Sequence, residues 1–143
     1  MKKLLLLIFL MFTALSYAGY ETNIKEKISK LERQKEEKIS EYGFGYEVNK
    51  INEEFNNILD DELTKVYNLI RNKMSETEKM NFRNKQRQWL KKRTQQVESV
   101  VDDAVRSGIR SGSFIANLSN YEYQEITKKR LYEFARMYDK MKK

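Results

Sequence analysis

Gln86, Trp89, Arg93 and Val97 recur at steps of three and four residues, so in a helix they share one face. That face carries an amide, an indole N–H and a guanidinium fork beside an aliphatic side chain. Its chemistry is recognition rather than turnover. Arginine pairs with carboxylates in a bidentate fork, while the indole and the amide make single hydrogen bonds. None of the three is a nucleophile or a general base at neutral pH. Buried polar groups need partners, so the face predicts a specific network between helices or a specific binding surface. Trp89 is the only tryptophan in the chain.

The elements that must position this face read as helices. Proline is absent, and Gly43, Gly45, Gly108 and Gly112 punctuate the chain after Gly19. A first, highly charged helix spans about Glu21 to Tyr42, with an apolar stripe of Ile24, Ile28 and Leu31 interrupted by Lys35 and Lys38. It reads equally as an exposed arm, a coiled-coil segment or a helix packed on the rest. Gly43-Phe44-Gly45 breaks it, and Phe44 is available to plug into a neighbouring core. A second helix, ending near Met74, carries Val48, Ile51, Phe55, Ile58, Val66 and Ile70 on one side. Ser75-Glu76-Thr77-Glu78 is a capping box. It opens a third helix through Phe82, Trp89, Val97, Val100, Val101 and Ala104 to about Ser107. Ser113 is the expected cap of a last helix with an apolar band of Phe114, Leu118, Tyr121, Ile126, Leu131, Phe134, Tyr138 and Met141. No segment keeps a two-residue alternation. The expected architecture is all-α, an antiparallel helical bundle of three to four helices with a long charged N-terminal helix.

Residues 1–18 read as a signal peptide: Met1-Lys2-Lys3 is a positive start, Leu4 to Leu15 an apolar run, and Ser16-Tyr17-Ala18 a small-residue cleavage site before Gly19. The run falls short of the about 20 residues of a membrane span. The expected location is periplasmic or secreted, with no stable membrane span after cleavage. The 125 residues that remain hold 26 Lys/Arg against 21 Asp/Glu, a net charge of about +5 that suits an anionic partner. Histidine and cysteine are absent, which removes Cys/His zinc sites, disulfides and Ser-His or Cys-His nucleophile pairs. No phosphate-binding glycine loop or calcium loop is present. The expectation is a protein that is not an enzyme and uses no cofactor or metal.

Three pieces of the chain carry a resemblance. They are Asp60-x-Glu62-Leu63-Thr64-x-x-Tyr67, Gln86-Arg87-x-Trp89-x-x-x-Arg93, and Ser111-Gly112-Ser113 followed by Thr127-x-x-Arg130. In order and spacing they resemble the LprI-like family of exported bacterial proteins linked to lysozyme inhibition, over about residues 55–134. The resemblance implies a helical domain over 46–143, preceded by the charged helix and glycine break of 19–45. It also implies a protein partner, a lysozyme-type muramidase. The family has asparagine at the position of Thr64 and an acidic residue at that of Thr94. It has a cysteine at Val97 bonded to one near Glu122 or Tyr123. Both cysteines are missing here, and losing such a bridge typically costs ~2–5 kcal/mol, which packing around Val97 must offset.

Two readings stand beside each other at each site. Arg87, Arg93 and Arg130 pair across the bundle with Asp60, Asp61 or Glu62, or they meet a carboxylate or sugar-rich partner; the sequence favours the pairing. Gln86 joins the same network, with Thr127 beside Arg130. Trp89 and Tyr67 read as core anchors more than as binding platforms. Arg110, Ser111, Gly112 and Ser113 form the candidate binding loop, because loops present residues that a scaffold positions; a plain helix connection is the other reading. Nucleic acid is not expected, although the basic run around Trp89 has the composition of a stacking site. The rival function is a helical periplasmic structural or interaction protein of chaperone or adhesin type, built on the charged first helix.

Overall fold

The computed structural model describes residues 19–43 and 45–142. The expected signal segment, Phe44 and Lys143 lie outside the described residues. Four helices follow one another among them: α1 (Tyr20–Tyr42), α2 (Tyr46–Arg71), α3 (Glu76–Arg106) and α4 (Gly112–Lys140). The described residues contain no strand, so the chain is an all-α bundle.

The breaks follow local chemistry. Gly43 and Gly45 have φ of 73° and 105°, a region L side chains rarely adopt, and they separate α1 from α2. Ser75 caps α3 with the full reciprocal box: its hydroxyl accepts from the Glu78 N–H at 3.4 Å and its own N–H donates to the Glu78 carboxylate at 2.8 Å. At the other end of α3, the Ile109 N–H returns to the Ala104 carbonyl and the Gly108 N–H to that of Val105. This is a Schellman ending with glycine at the required place. The α4 cap differs from expectation. Ser111, not Ser113, accepts from the Phe114 N–H, because the helix already begins at Gly112.

Helices adjacent in sequence run antiparallel. Lys27 meets Glu62 across α1 and α2, Tyr67 meets Phe82 across α2 and α3, and Gln86 meets Arg130 across α3 and α4. Helices α2 and α4 run parallel, since Asn56–Asn120, Asp60–Tyr123 and Tyr67–Phe134 advance together along both. This parallel pair is the most extensive interface of the bundle. Helix α1 packs against both of its members, and α3 packs mainly against α4. The core lies along that central pair. Leu59, Val66 and Ile70 of α2, Leu131 and Ala135 of α4, and Ile28 of α1 are fully buried.

Helix α1 is therefore a packed member of the bundle. Ile24 and Ile28 enter the common core, and the Asp139 carboxylate of α4 accepts from the N–H groups of Tyr20 and Glu21 at 2.8 and 2.9 Å. A side chain from another helix thus does the work of an N-cap. Two apolar lines sit differently from expectation. On α2 the buried line is Val48, Asn52, Phe55, Leu59, Leu63, Val66 and Ile70, while Ile51 and Ile58 stay half-buried along the α1–α2 groove. On α4, Gln124 and Thr127 are buried and Phe114 and Tyr121 point outward. The inward polar residues are tolerated because each finds partners. Gln124 donates to Asn52 at 3.1 Å and to Asn56 at 3.0 Å, and accepts from Lys35 at 2.9 Å.

Candidate functional site

The sequence-selected polar residues converge where α2, α3 and α4 meet. Arg93 projects inward from α3 and is almost fully buried. One of its terminal nitrogens donates to Asp60 at 2.7 Å and to the Thr127 hydroxyl at 2.9 Å. The Thr127 hydroxyl in turn donates to the Tyr123 carbonyl at 2.7 Å, and the Tyr123 hydroxyl donates to the second oxygen of Asp60. The guanidinium also lies 4.2 Å from the Tyr123 ring centre and 5.0 Å from that of Trp89, which adds cation–π attraction in a partly desolvated place. Four residues from three helices close this ring.

Arg130 forms the next layer. Its Nε donates to Gln86 at 3.3 Å and Nη1 to Glu133 at 3.2 Å, while the guanidinium sits 4.4 Å from the Phe134 ring and 5.5 Å from that of Trp89. Trp89 is half-buried, flanked by two arginines, and Arg93 is the deeper residue. Tyr67 stacks on Phe82 at 4.9 Å and 11°. Glu62 is buried and pairs with Lys27 at 2.9 Å and Lys65 at 2.6 Å rather than with an arginine. Burial alone would raise its carboxyl, but the hydrogen bonds from Lys65 and Lys27 prevail and hold it below the usual range. Arg87 is brought into neither layer. It is exposed, on the rim of the α2–α3 groove, with no ion pair among the described residues.

This arrangement ties α2, α3 and α4 together. Burial first, and the hydrogen bond to Asp60 second, push the Tyr123 phenol up to about 12. It is therefore neutral at physiological pH, and Asp60 already accepts from both Arg93 and Tyr123. The Tyr123 phenol is therefore not poised for proton transfer, which needs a pKa near the working pH. Among the described residues no group of three acidic side chains is placed to hold a metal ion.

The second site, the α3–α4 connection, lies at the opposite end of the chain reversal from Ser75. Gly112 and Ser113 belong to the first turn of α4, so the connection itself is residues 107–111. The Ser111 and Ser113 hydroxyls lie 3.1 Å apart, and Arg110 is exposed without an ion pair among the described residues. Because the helices alternate in direction, the α1–α2 break lies at this same end. Exposed Tyr42, Tyr46, Val105, Phe114 and Tyr121 lie in the helix segments toward this end.

Residues 46–134, more than half of the chain, match the family described as lysozyme inhibitor LprI. The chain belongs to this family. No curated protein and no solved structure matches it. The LprI span takes in α2, α3 and α4 as far as Phe134, and α1 lies outside it. In this LprI chain the α3–α4 register set by Arg93–Thr127 brings Val97 level with Tyr123. Tyr123 helps to close the Asp60–Arg93–Thr127 ring.

Sequence reasoning missed Tyr123 and the Asn52–Asn56–Gln124 amides. The signal was present as spacing, since Tyr123 precedes Thr127 by one helical turn and Asn52 precedes Asn56 by another. Polar residues on an apolar line are informative when two helices each carry them.

Proposed function

We propose that this protein is an exported, non-catalytic inhibitor of lysozyme-type muramidases, docking through the end of the bundle that carries Arg110, Ser111, Gly112 and Ser113. The observation that carries the reading is the distribution of charge along the bundle. Residues 33–58 and 95–122, the loop end, hold ten Asp/Glu against six Lys/Arg, a net −4. The rest of residues 19–143 holds 20 Lys/Arg against 11 Asp/Glu, a net +9. A muramidase of the cationic animal type is repelled by the average charge of this chain but attracted by its loop end. Screening within ~8 Å makes the local sign decide the encounter. The exposed aromatics at that end supply the rigid, amphipathic area typical of interface anchors.

The rival structural reading needed α1 as a free assembly helix. Its apolar stripe is instead used internally, by Ile24 and Ile28 in the core and Leu31 packed against it, which favours the inhibitor reading. No helix among the described residues is long and apolar enough to cross a membrane.

The test is a muramidase activity assay with a chain beginning at Gly19. Activity of a cationic lysozyme should fall with increasing inhibitor, and the effect should weaken with salt. Undiminished activity at a large molar excess sinks the proposal.

A further inference from the structure

Helices α2 and α3 touch through long side chains and leave a groove along their junction. One part, about 360 Å³, is lined by Leu63, Thr64, Tyr67, Arg87 and Leu90, and by Asp60, whose carboxylate is already engaged by Arg93 and Tyr123. A continuation of about 310 Å³ shares Arg83 and reaches Arg71 and Met80. This groove lies in the basic part of the bundle, away from the acidic loop end.

Helix α3 carries an unusual charge pattern, of which Arg83 and Arg87 line the groove and Lys79 its continuation. Lys79, Arg83, Arg87 and Lys91 follow one another at four-residue steps along α3, and like charges at that spacing oppose the helix that holds them. Lys79 pairs with Glu76, whereas Arg83, Arg87 and Lys91 have no acidic partner among the described residues. The stripe runs for ~18 Å with a cation every ~6 Å, at the rise of 1.5 Å per residue. A linear chain with regularly spaced acidic groups would relieve that repulsion.

The neutral lining residues narrow the chemistry. Thr64 and Asn68 of α2 and Gln86 of α3 offer hydroxyl and amide groups beside apolar Leu63 and Leu90, which suits the hydroxyls and acylamino groups of sugars. Base stacking needs a free aromatic face, but Tyr67 is already stacked on Phe82 and Trp89 does not line the groove. Insertion into a lipid surface needs a continuous apolar face, and Leu90 and Met80 are the only exposed large apolar residues of α3 in this region. We infer that the α2–α3 groove binds an acidic glycan strand, with Arg83 and Arg87 contacting its anionic groups. This site is separate from the proposed muramidase surface and does not depend on it.

The chain beginning at Gly19 is titrated, without any muramidase, with four probes. They are muramyl dipeptide (a carboxylated sugar), a glycerol-phosphate oligomer, neutral chitotriose and a short poly-glutamate. Amide and side-chain NMR shifts report the site, and calorimetry reports affinity. Muramyl dipeptide should perturb Leu63, Thr64, Tyr67 and Arg87, and the glycerol-phosphate oligomer, which carries regular anions without sugar rings, should bind more weakly; the reverse order overturns the glycan assignment. The double variant Arg83→Gln/Arg87→Gln, at exposed positions, should weaken that binding about tenfold or more. Leu90→Glu, which places a negative charge in the groove, should weaken it in the same direction. The inference is also overturned by any one of four results: no acidic probe binds up to about 10 mM; chitotriose binds as well as the acidic sugars; poly-glutamate alone binds; or the double variant keeps its affinity within about twofold.

Discussion

Arg93 and Asp60 join α3 to α2 by a 2.7 Å ion pair whose members differ in depth: the arginine side chain is 10% exposed and the aspartate 41%. The asymmetry makes the two ends unequal. Removing Asp60 leaves a guanidinium in the interior with Thr127 as its remaining hydrogen-bond acceptor. Removing Arg93 leaves an aspartate that water can reach, but opens a gap between Trp89 and Tyr123. Breaking a fully buried pair typically costs 3–5 kcal/mol, and partial exposure reduces this. Asp60→Ala is expected to lower stability by about 1–3 kcal/mol. Arg93→Ala is expected to cost about 2–4 kcal/mol, since packing is lost as well as charge. Urea unfolding of both variants checks the order.

Trp89 serves this network from a half-buried position. Trp89→Ala should cost about 1–3 kcal/mol, less than the 3–5 of a fully enclosed aromatic. An equally stable Trp89→Ala variant, measured by far-ultraviolet circular dichroism during melting, would remove Trp89 from the structural network.

Tyr123 gives the bundle an alkaline limit. Its folded pKa, raised to about 12 by burial and by the bond to Asp60, exceeds the unfolded value of 10.0. The neutral phenol is the form that the fold prefers. Its contribution is therefore complete below about pH 10 and is lost as pH rises toward 12. Tyr123→Phe should be less stable than wild type at pH 8, and the difference should shrink above pH 10. An absorbance titration of phenolate, wild type minus variant, should show a midpoint near 12.

The start of α1 is tied down by α4 and should loosen in acid. Hydrogen bonds from Arg136 and Lys25 hold the Glu21 carboxyl down to about 2, below its ordinary value of 4.5. Its contribution is present above about pH 4.5 and disappears as pH falls through about 2. Glu21→Gln should flatten that part of the stability profile. Asp139→Ala, which removes the acceptor for the Tyr20 and Glu21 N–H groups, should cost about 1 kcal/mol. Hydrogen exchange should report it as lost protection in the first turn of α1.

Charge reversal at the loop end tests the docking surface without touching the core. Glu53 and Asp102 are exposed. Glu53→Lys/Asp102→Lys should leave the melting temperature nearly unchanged and slow association with a cationic muramidase. The slowing should be large at low salt and small at high salt. An unchanged association rate at low salt would move the interface elsewhere.

The sequence by itself determined the helices and part of the network, but not the place of Arg87, which stays outside it. Glycine placement, the Ser75 box and three- and four-residue spacing locate α1 to α4 to within a few residues, because they are local properties of the chain. Gln86 and Arg93 were legible from their shared helix face, and Asp60, Thr127 and Arg130 from spacing that resembles the family. Tertiary structure alone decided which side chains go deep and what they meet. It made α2 and α4 a parallel central pair, put Arg93 beneath Trp89, brought in Tyr123 and Gln124, and left Phe114 and Tyr121 outside. Helical periodicity defines a residue's angle around its own axis but not the neighbour it faces. A polar side chain is stable inside only if that neighbour answers its hydrogen bonds. The separation of acidic and basic ends arose the same way, from folding back segments that are distant in sequence and unremarked when read in line.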